Sequence, residues 1–482
     1  MDALLYIDGA WRESASAGRL EVRNPARPSE IVGTLAAGTE GDVADAVAAA
    51  RGAFPRWRDT PLDDRIACLT KAADRIVALP DDVAELLTRE MGKALWESRM
   101  DVGFAEYTLR FAAEAAADAM TPLIVEDDEF GRVVVEKVPR GVAGAITPWN
   151  WPVGLLYIKL ASALVTGNTV VCTPSPLASL AVVKTIEAIA DAFPAGVLNL
   201  VTGVGSVVGA ALVTHPDVPK VSFTGSIPTG REIMRQAAGG IKALTLELGG
   251  NDPAILLEDV EITEDLAETL ATGAMVTSGQ ICFAVKRIYA PNRVLPELVE
   301  AYGAALDKYV VGDGLDDGTT IGPVVSNAQL QRLRGFLDEA RQRGASVTEH
   351  GAVSAGTDAE GYFQLPTMVT GADETFQIVA DEQFGPATPI MGYDTIEEAV
   401  ARANATEFGL KSSVWSTDPD RARMVARQLE AGTTFINQHS PFAVEIKAPL
   451  GGFKHSGVGR EFGLAGLDAY VELHQINSRS IT

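Results

Sequence analysis

"KVSFTGSIPTGREIMRQAAGGIKALTLELGG", residues 220–250, decides the fold. "KVSFTG" has the β-branched and aromatic texture of a strand and ends in a Gly225-Ser226 turn, residues 228–239 carry a helical pattern, and "ALTLELGG" returns to strand. Strand, helix and strand at this spacing imply a parallel sheet with helices on its faces. The closing Gly249-Gly250 pair has the backbone freedom of a hinge or a crossing between lobes.

The same cycle extends both ways from this stretch. Upstream, from about residue 132, "RVVVEKV", "NTVVC" and "GVLNLV" alternate with helical segments 153–166 and 177–192. Downstream come "PAILLED", a helix near 263–275, "KRIYAP", a helix near 296–309, "ATPIMGY", a helix near 396–404 and "TTFINQ". Residues 40–120 read mostly as Ala-rich packing helices, and "VTEHGAVSAGTDAEG" reads as a polar surface loop. The fold class expected is α/β, with two Rossmann-like lobes built on parallel sheets.

A chain of 482 residues exceeds what one hydrophobic core usually supports, which agrees with more than one lobe. Forty Lys and Arg against 64 Asp and Glu leave a net charge of -24, which repels phosphate backbones and anionic lipid and argues against nucleic acid or a membrane as partner. Apolar stretches such as "LLYIKLASALVTGNTVV" are interrupted by Lys159 and Asn168 before they reach membrane-spanning length. Cys68, Cys172 and Cys282 are widely spaced, without a CxxC pair, and no basic signal region opens the chain. A cytoplasmic, reducing location is expected. The five histidines form no HxxxH or HExxH pair, so no metal is expected, and no GxSxG elbow is present.

Several short motifs carry chemistry. In "VTGVGSVVGA", Gly203, Gly205 and Gly209 follow a strand and open a helix with GxGxxxG spacing; tight packing explains this as well as a dinucleotide turn does. With the Gly225-Ser226 turn, two successive glycine turns offer backbone N–H groups where a pyrophosphate could sit. Glu247 ends a strand among apolar residues, as either a hydrogen-bonded buried acid or a general base raised by desolvation. Asn150, held between Trp149 and Trp151 in "TPWNWP", either satisfies backbone groups or donates to an oxyanion. Cys282, in "TSGQICFAVKR", is either a packed apolar residue or a nucleophile.

In order along the chain, "TPWNWP", "FTGS", "LELGG", "GQIC", "DEQFGP" and "PLGGFKHSGVGRE" resemble the aldehyde dehydrogenase superfamily over essentially the whole length. The resemblance implies Cys282 as nucleophile, Glu247 as general base, Asn150 with the Cys282 N–H as oxyanion site, and Lys159 as a lysine near the active site. It implies a nicotinamide cofactor held by Thr147, Trp149, Thr173, Ser175, Gly205, Gly209, Phe223, Gly225, Ser226, Leu248, Glu382 and Phe384. The implied reaction is attack of a thiolate on an aldehyde, hydride transfer, and hydrolysis of the thioester to a carboxylic acid. Trp151, Tyr157, Ile281, Phe283 and Phe442 are candidates for the pocket wall, pointing to an apolar, aromatic or medium-chain aldehyde.

One departure bears on the cofactor. Where the family commonly reads Lys-Pro-x-Glu, this chain reads "TPSP", placing Thr173 and Pro176 at the usual ribose-contact positions. NAD is expected over NADP, because no basic cluster replaces the lysine. The division expected is 1–120 with 140–248 for dinucleotide binding, 249–455 for catalysis, and 121–139 with 456–482 for an oligomerisation element. The resemblance implies a homodimer or homotetramer. A non-catalytic dinucleotide-binding scaffold and an esterase-type acyl-transfer enzyme are the competing classes.

Overall fold

Strands Lys220–Thr224 and Ala243–Glu247 are parallel neighbours, with Val221 opposite Leu244 and Phe223 opposite Leu246. Their crossover helix Ile227–Ala237 starts under a Ser226 side-chain cap and buries Ile227, Gly230, Ile233 and Ala237 at helical spacing. In the computed structural model, which describes residues 1–479, these strands belong to an eight-stranded sheet. Five central strands, Ala243–Glu247, Lys220–Thr224, Val142–Thr147, Thr169–Pro174 and Leu198–Leu200, run parallel. Antiparallel pieces finish both edges: Gly457–Val458 on one side, Leu5–Ile7 with Ala10–Arg12 on the other.

A seven-stranded sheet follows the Gly249-Gly250 pair. Its order is Ser346–Glu349, Thr367–Thr370, Ala387–Tyr393, Val285–Pro291, Asp252–Leu256, Lys411–Trp415 and Thr433–Ile436, parallel except for the first. That edge strand lies in the stretch expected to be a loop. Its polar side chains fit a strand with an open edge, and Val347 is its one partly buried apolar contact. The first 36 residues add further strands that alternation had not signalled, including Arg19–Asn24 and Arg27–Ala36.

The third sheet is antiparallel: Leu123–Asp127, Gly131–Pro139 and Val471–Arg479, with Val135 opposite Gln475. It exposes Leu123, Ile124, Val125, Leu473 and Ile476. The last three residues of the expected C-terminal segment, 480–482, lie outside the described residues. Among the described residues, no helix is long and apolar enough to cross a membrane.

Candidate active site

Thr147, Pro174, Thr224 and Glu247 are the last residues of four adjacent parallel strands. Ligands of open α/β sheets lie outside such carboxyl ends. Two hollows meet there, an apolar cavity and an open cleft, both reaching Thr224.

Cys282, Glu247 and Asn150 all line the cavity, brought together from sequence positions far apart. The loop before Cys282 is strained: Thr277 and Ser278 both have φ +56°, a left-handed conformation costing a side-chain-bearing residue roughly 1–2 kcal/mol. Gly279 continues it at φ +69°, where a Cβ would stand 2.3 Å from the Gly385 carbonyl oxygen. Side chains from elsewhere hold the loop. The Thr277 N–H donates to Glu97, Trp151 Nε1 donates to Thr277 Oγ1 (3.0 Å), and Ser278 Oγ donates to the Gly322 carbonyl (2.8 Å). Gln280 accepts from the Val325 N–H (2.9 Å).

Asn150 is 4 % exposed, and its Nδ2 donates to the Gln280 carbonyl at 2.9 Å. This bond fixes the amide beside the nucleophile loop, and the second N–H remains for an incoming oxygen. Beneath it, Lys93 pairs with Asp101 (2.7 Å), donates to the Asn150 carbonyl (3.0 Å), and sits 4.5 Å from the Trp151 ring centre.

Burial pushes the Cys282 thiol up to about 12, with Lys286 and Lys411 opposing and Glu382 and Asp252 reinforcing. Glu247 is 5 % exposed, and neither carboxylate oxygen has a hydrogen-bond partner among the described residues. Its pKa stands well above the ordinary range, first from burial and then from the nearby Glu461 charge. Glu461 also lines the cavity, ion-pairs with Lys159 and accepts from Ser222 Oγ (3.1 Å). Lys159 lies one shell back, donating also to Thr224 Oγ1 (2.8 Å).

Of the five wall candidates, Trp151, Ile281 and Phe283 line the cavity. Tyr157 does not: it is fully buried in the main core of the first lobe. Helical periodicity explains this, because Trp151, Gly154, Leu155 and Ile158 present one face to the cavity and position 157 falls on another. Phe442 also turns away, 53 % exposed and 6.1 Å from the Trp96 ring centre, while its neighbour Pro441 takes the wall. Sequence reasoning missed Met100, Phe104, Glu461 and Phe462. Met100 and Phe104 are four apart on helix Leu95–Met120, a spacing legible in sequence but hidden in an Ala-rich segment. Phe104 meets Phe462 edge-on at 6.1 Å.

The open cleft gathers Thr147, Trp149, Thr173, Ser175, Gly205, Gly209, Phe223, Gly225 and Ser226. Thr147 Oγ1 and Thr173 Oγ1 are buried without a partner, as hydroxyls awaiting a polar ligand would be. Leu248 lies instead on the cavity side. Glu382 accepts from the Gly250 N–H (3.1 Å) and lies 3.4 Å from Lys286 Nζ. A Cβ on Gly249 would sit 2.4 Å from Glu382 Oε2. Phe384, at φ +51°, meets Trp149 edge-on at 5.4 Å. The cleft lining has no Lys or Arg; its one ionisable side chain is Glu232, bound to Arg235 and Gln236. Among the described residues, no cluster of His, Cys, Asp and Glu could hold a metal ion.

Residues 11–476 match the model of the aldehyde dehydrogenase family. The chain is 36 % identical to chloroplastic betaine aldehyde dehydrogenase of Beta vulgaris over 484 residues, covering 98 % of this chain and 96 % of that protein. Peroxisomal aminoaldehyde dehydrogenase 1 of Pisum sativum is also 36 % identical, covering 98 % and 95 %. A crystal structure of betaine aldehyde dehydrogenase from Staphylococcus aureus in complex with NAD+ superposes with a TM-score of 0.94 at 33 % identity, covering 98 % of this chain and 94 % of that one. With the family model spanning nearly the whole length and the nucleophile, acid and amide meeting in one cavity, this chain belongs to the aldehyde dehydrogenase family.

Proposed function

We propose that this enzyme oxidises an apolar aldehyde, aromatic or medium-chain, to its carboxylic acid with NAD+. The observation that carries the substrate class is the cavity wall: Met100, Phe104, Leu155, Ile158, Val444 and Phe462 surround the reacting groups, and no Lys or Arg joins them. Burying apolar substrate area against such walls contributes about 25 cal/mol per Å².

In this reading, Cys282 Sγ bonds to the aldehyde carbon, and the carbonyl electron pair moves to oxygen, which the Asn150 amide and the Cys282 N–H hold. NAD+ supplies the hydride acceptor when bound. Thr147, Thr173, Ser175 and the glycine turns would hold its phosphates and ribose, and Glu382, with Phe384 and Trp149, would hold the nicotinamide end. Glu247 then takes a proton from water, and the resulting hydroxide equivalent displaces the thiolate from the thioester. Its two free oxygens and raised pKa suit a base that must accept a proton near neutrality. Lys159 keeps Glu461 paired beside it.

NAD+ is preferred over NADP+ because a 2'-phosphate would find no Lys or Arg on the cleft wall. The lobes divide as 1–120 with 140–248 and 249–455. The exposed apolar third sheet supports pairing of subunits into a homodimer or homotetramer. Three free cysteines suit the cytosol.

A second substrate class has its own support. Trp151, Phe104, Phe283 and Phe462, together with two carboxylates, are also groups that attract a quaternary ammonium, such as that of betaine aldehyde, for which several relatives are named. A panel of benzaldehyde, hexanal, acetaldehyde, betaine aldehyde and succinic semialdehyde, followed at 340 nm with each cofactor, decides. Highest kcat/KM for benzaldehyde or hexanal is expected; highest kcat/KM for betaine aldehyde or succinic semialdehyde would overturn the apolar assignment.

A further inference from the structure

Four buried lysines surround the catalytic loop, and three are spoken for. Lys93 pairs with Asp101, Lys159 with Glu461, and Lys286 with Glu382 while donating to the Ile281 and Cys282 carbonyls at 2.7 and 2.9 Å. Lys411 differs. It opens strand Lys411–Trp415 and is 2 % exposed. Its ammonium lies 3.6 Å from the ring centre of Phe283, the residue after Cys282, and 5.1 Å from that of Phe435. Among the described residues, this ammonium makes no ion pair within the 4 Å that joins the other three to carboxylates.

A buried ammonium without a bonded anion is costly, and two aromatic faces compensate only in part. The anion that would complete the site arises during catalysis, when the Cys282 thiol ionises. We propose that Lys411 is the counter-cation of the Cys282 thiolate, a positioning charge that favours the ionised nucleophile before the aldehyde arrives. This rests on Cys282 being the nucleophile. On ionisation the S–H bond breaks, the proton leaves to water, and sulfur keeps the electron pair.

The surrounding charges agree with this assignment. The charged groups that act on Cys282 are Lys286, Glu382, Lys411 and Asp252, and those that act on Lys411 besides Cys282 are Asp252 and Glu247. Asp252 is shared: its Oδ1 accepts from the Lys411 backbone N–H (3.1 Å), and its Oδ2 lies 3.7 Å from His439 Nε2. Lys286 is held by two carbonyls and Glu382, which leaves Lys411 the cation freest to answer a new negative charge at sulfur. Burial lowers the Lys411 pKa to about 8, so its charge is present at neutral pH and fades as the solution becomes alkaline.

The test is alkylation of Cys282 by iodoacetamide in the cofactor-free protein, followed by mass spectrometry across pH, with Cys68 as internal control. In Lys411→Met, an apolar replacement of similar length, Cys282 should alkylate about tenfold more slowly near pH 7, where Lys411 is charged, with the difference shrinking above pH 8 as the wild-type ammonium loses its charge, while Cys68 is unchanged. Lys411→Arg should restore most of the rate. Lys411→Gln serves if the methionine variant does not fold. A folded neutral variant whose Cys282 profile matches wild type at every pH overturns the proposal. Failure of the nucleophile assignment would appear separately, as near wild-type turnover by Cys282→Ala.

Discussion

The cavity and the cleft share Thr224, yet their physical chemistry differs. The cavity holds buried Glu247 and half-buried Cys282 with raised pKa values, Glu461 with its Lys159 partner, and a loop with two non-glycine residues at positive φ. The cleft offers hydroxyls, glycines, prolines and one exposed Glu232. Chemistry needs charge desolvated and strained into place. Holding a long polar ligand needs unobstructed backbone and hydroxyls that can accept or donate. The difference predicts that cavity variants lose turnover with the cofactor still bound, while cleft variants alter cofactor choice with turnover largely kept.

The largest effect expected is from Cys282→Ala, which should lower aldehyde oxidation by about 10⁴-fold or more. Cofactor binding, read by quenching of tryptophan fluorescence on titration, should stay close to wild type because Cys282 is not part of the cleft. Loss of both together would erase the distinction between the two hollows. Glu461→Gln should act less strongly and with a definite sign. Burial raises the Glu247 pKa first and the Glu461 charge raises it further, so removing that charge lets Glu247 ionise at lower pH. The acid limb of kcat should therefore move to lower pH, raising the rate near pH 6 relative to that near pH 8. An acid limb moved to higher pH would show that Glu461 acts otherwise. The smallest effect should come from Pro176→Glu in the cleft, which should favour NAD+ over NADP+ by a further few-fold through a hydrogen bond to the ribose and repulsion of a 2'-phosphate. Specificity constants with both cofactors check this, and a melting curve separates it from any loss due to the missing proline.

Much of this contrast was legible in sequence. Strand ends carry it: the last residue of "ALTLE" faces the cavity because a parallel strand delivers its carboxyl end there, which made Glu247 a candidate, while its role as base came from the family resemblance. Two glycine turns of the cleft, at Gly205 and Gly225, stood out locally, whereas Thr147, Trp149, Thr173, Ser175 and Phe223 came from the family resemblance. Pocket walls were harder. Tyr157 and Phe442 adjoin catalytic segments yet turn away, because one residue of helical phase rotates a side chain by about 100° and sequence adjacency does not report phase. Phe104 and Phe462, separated by more than 350 positions, meet only through tertiary packing that no local pattern encodes. The edge strand Ser346–Glu349 escaped for a related reason: an exposed edge strand lacks the apolar alternation that marks buried ones.

The central claim is that one cavity carries out two half-reactions, acylation at Cys282 and hydrolysis by Glu247. Rapid mixing of Glu247→Gln with NAD+ and benzaldehyde, with intact-protein mass spectrometry of the same sample, tests it most directly. The account predicts a burst of up to one NADH per site, then little turnover, with an acyl adduct on Cys282. Sustained turnover at the wild-type rate with no adduct would contradict it.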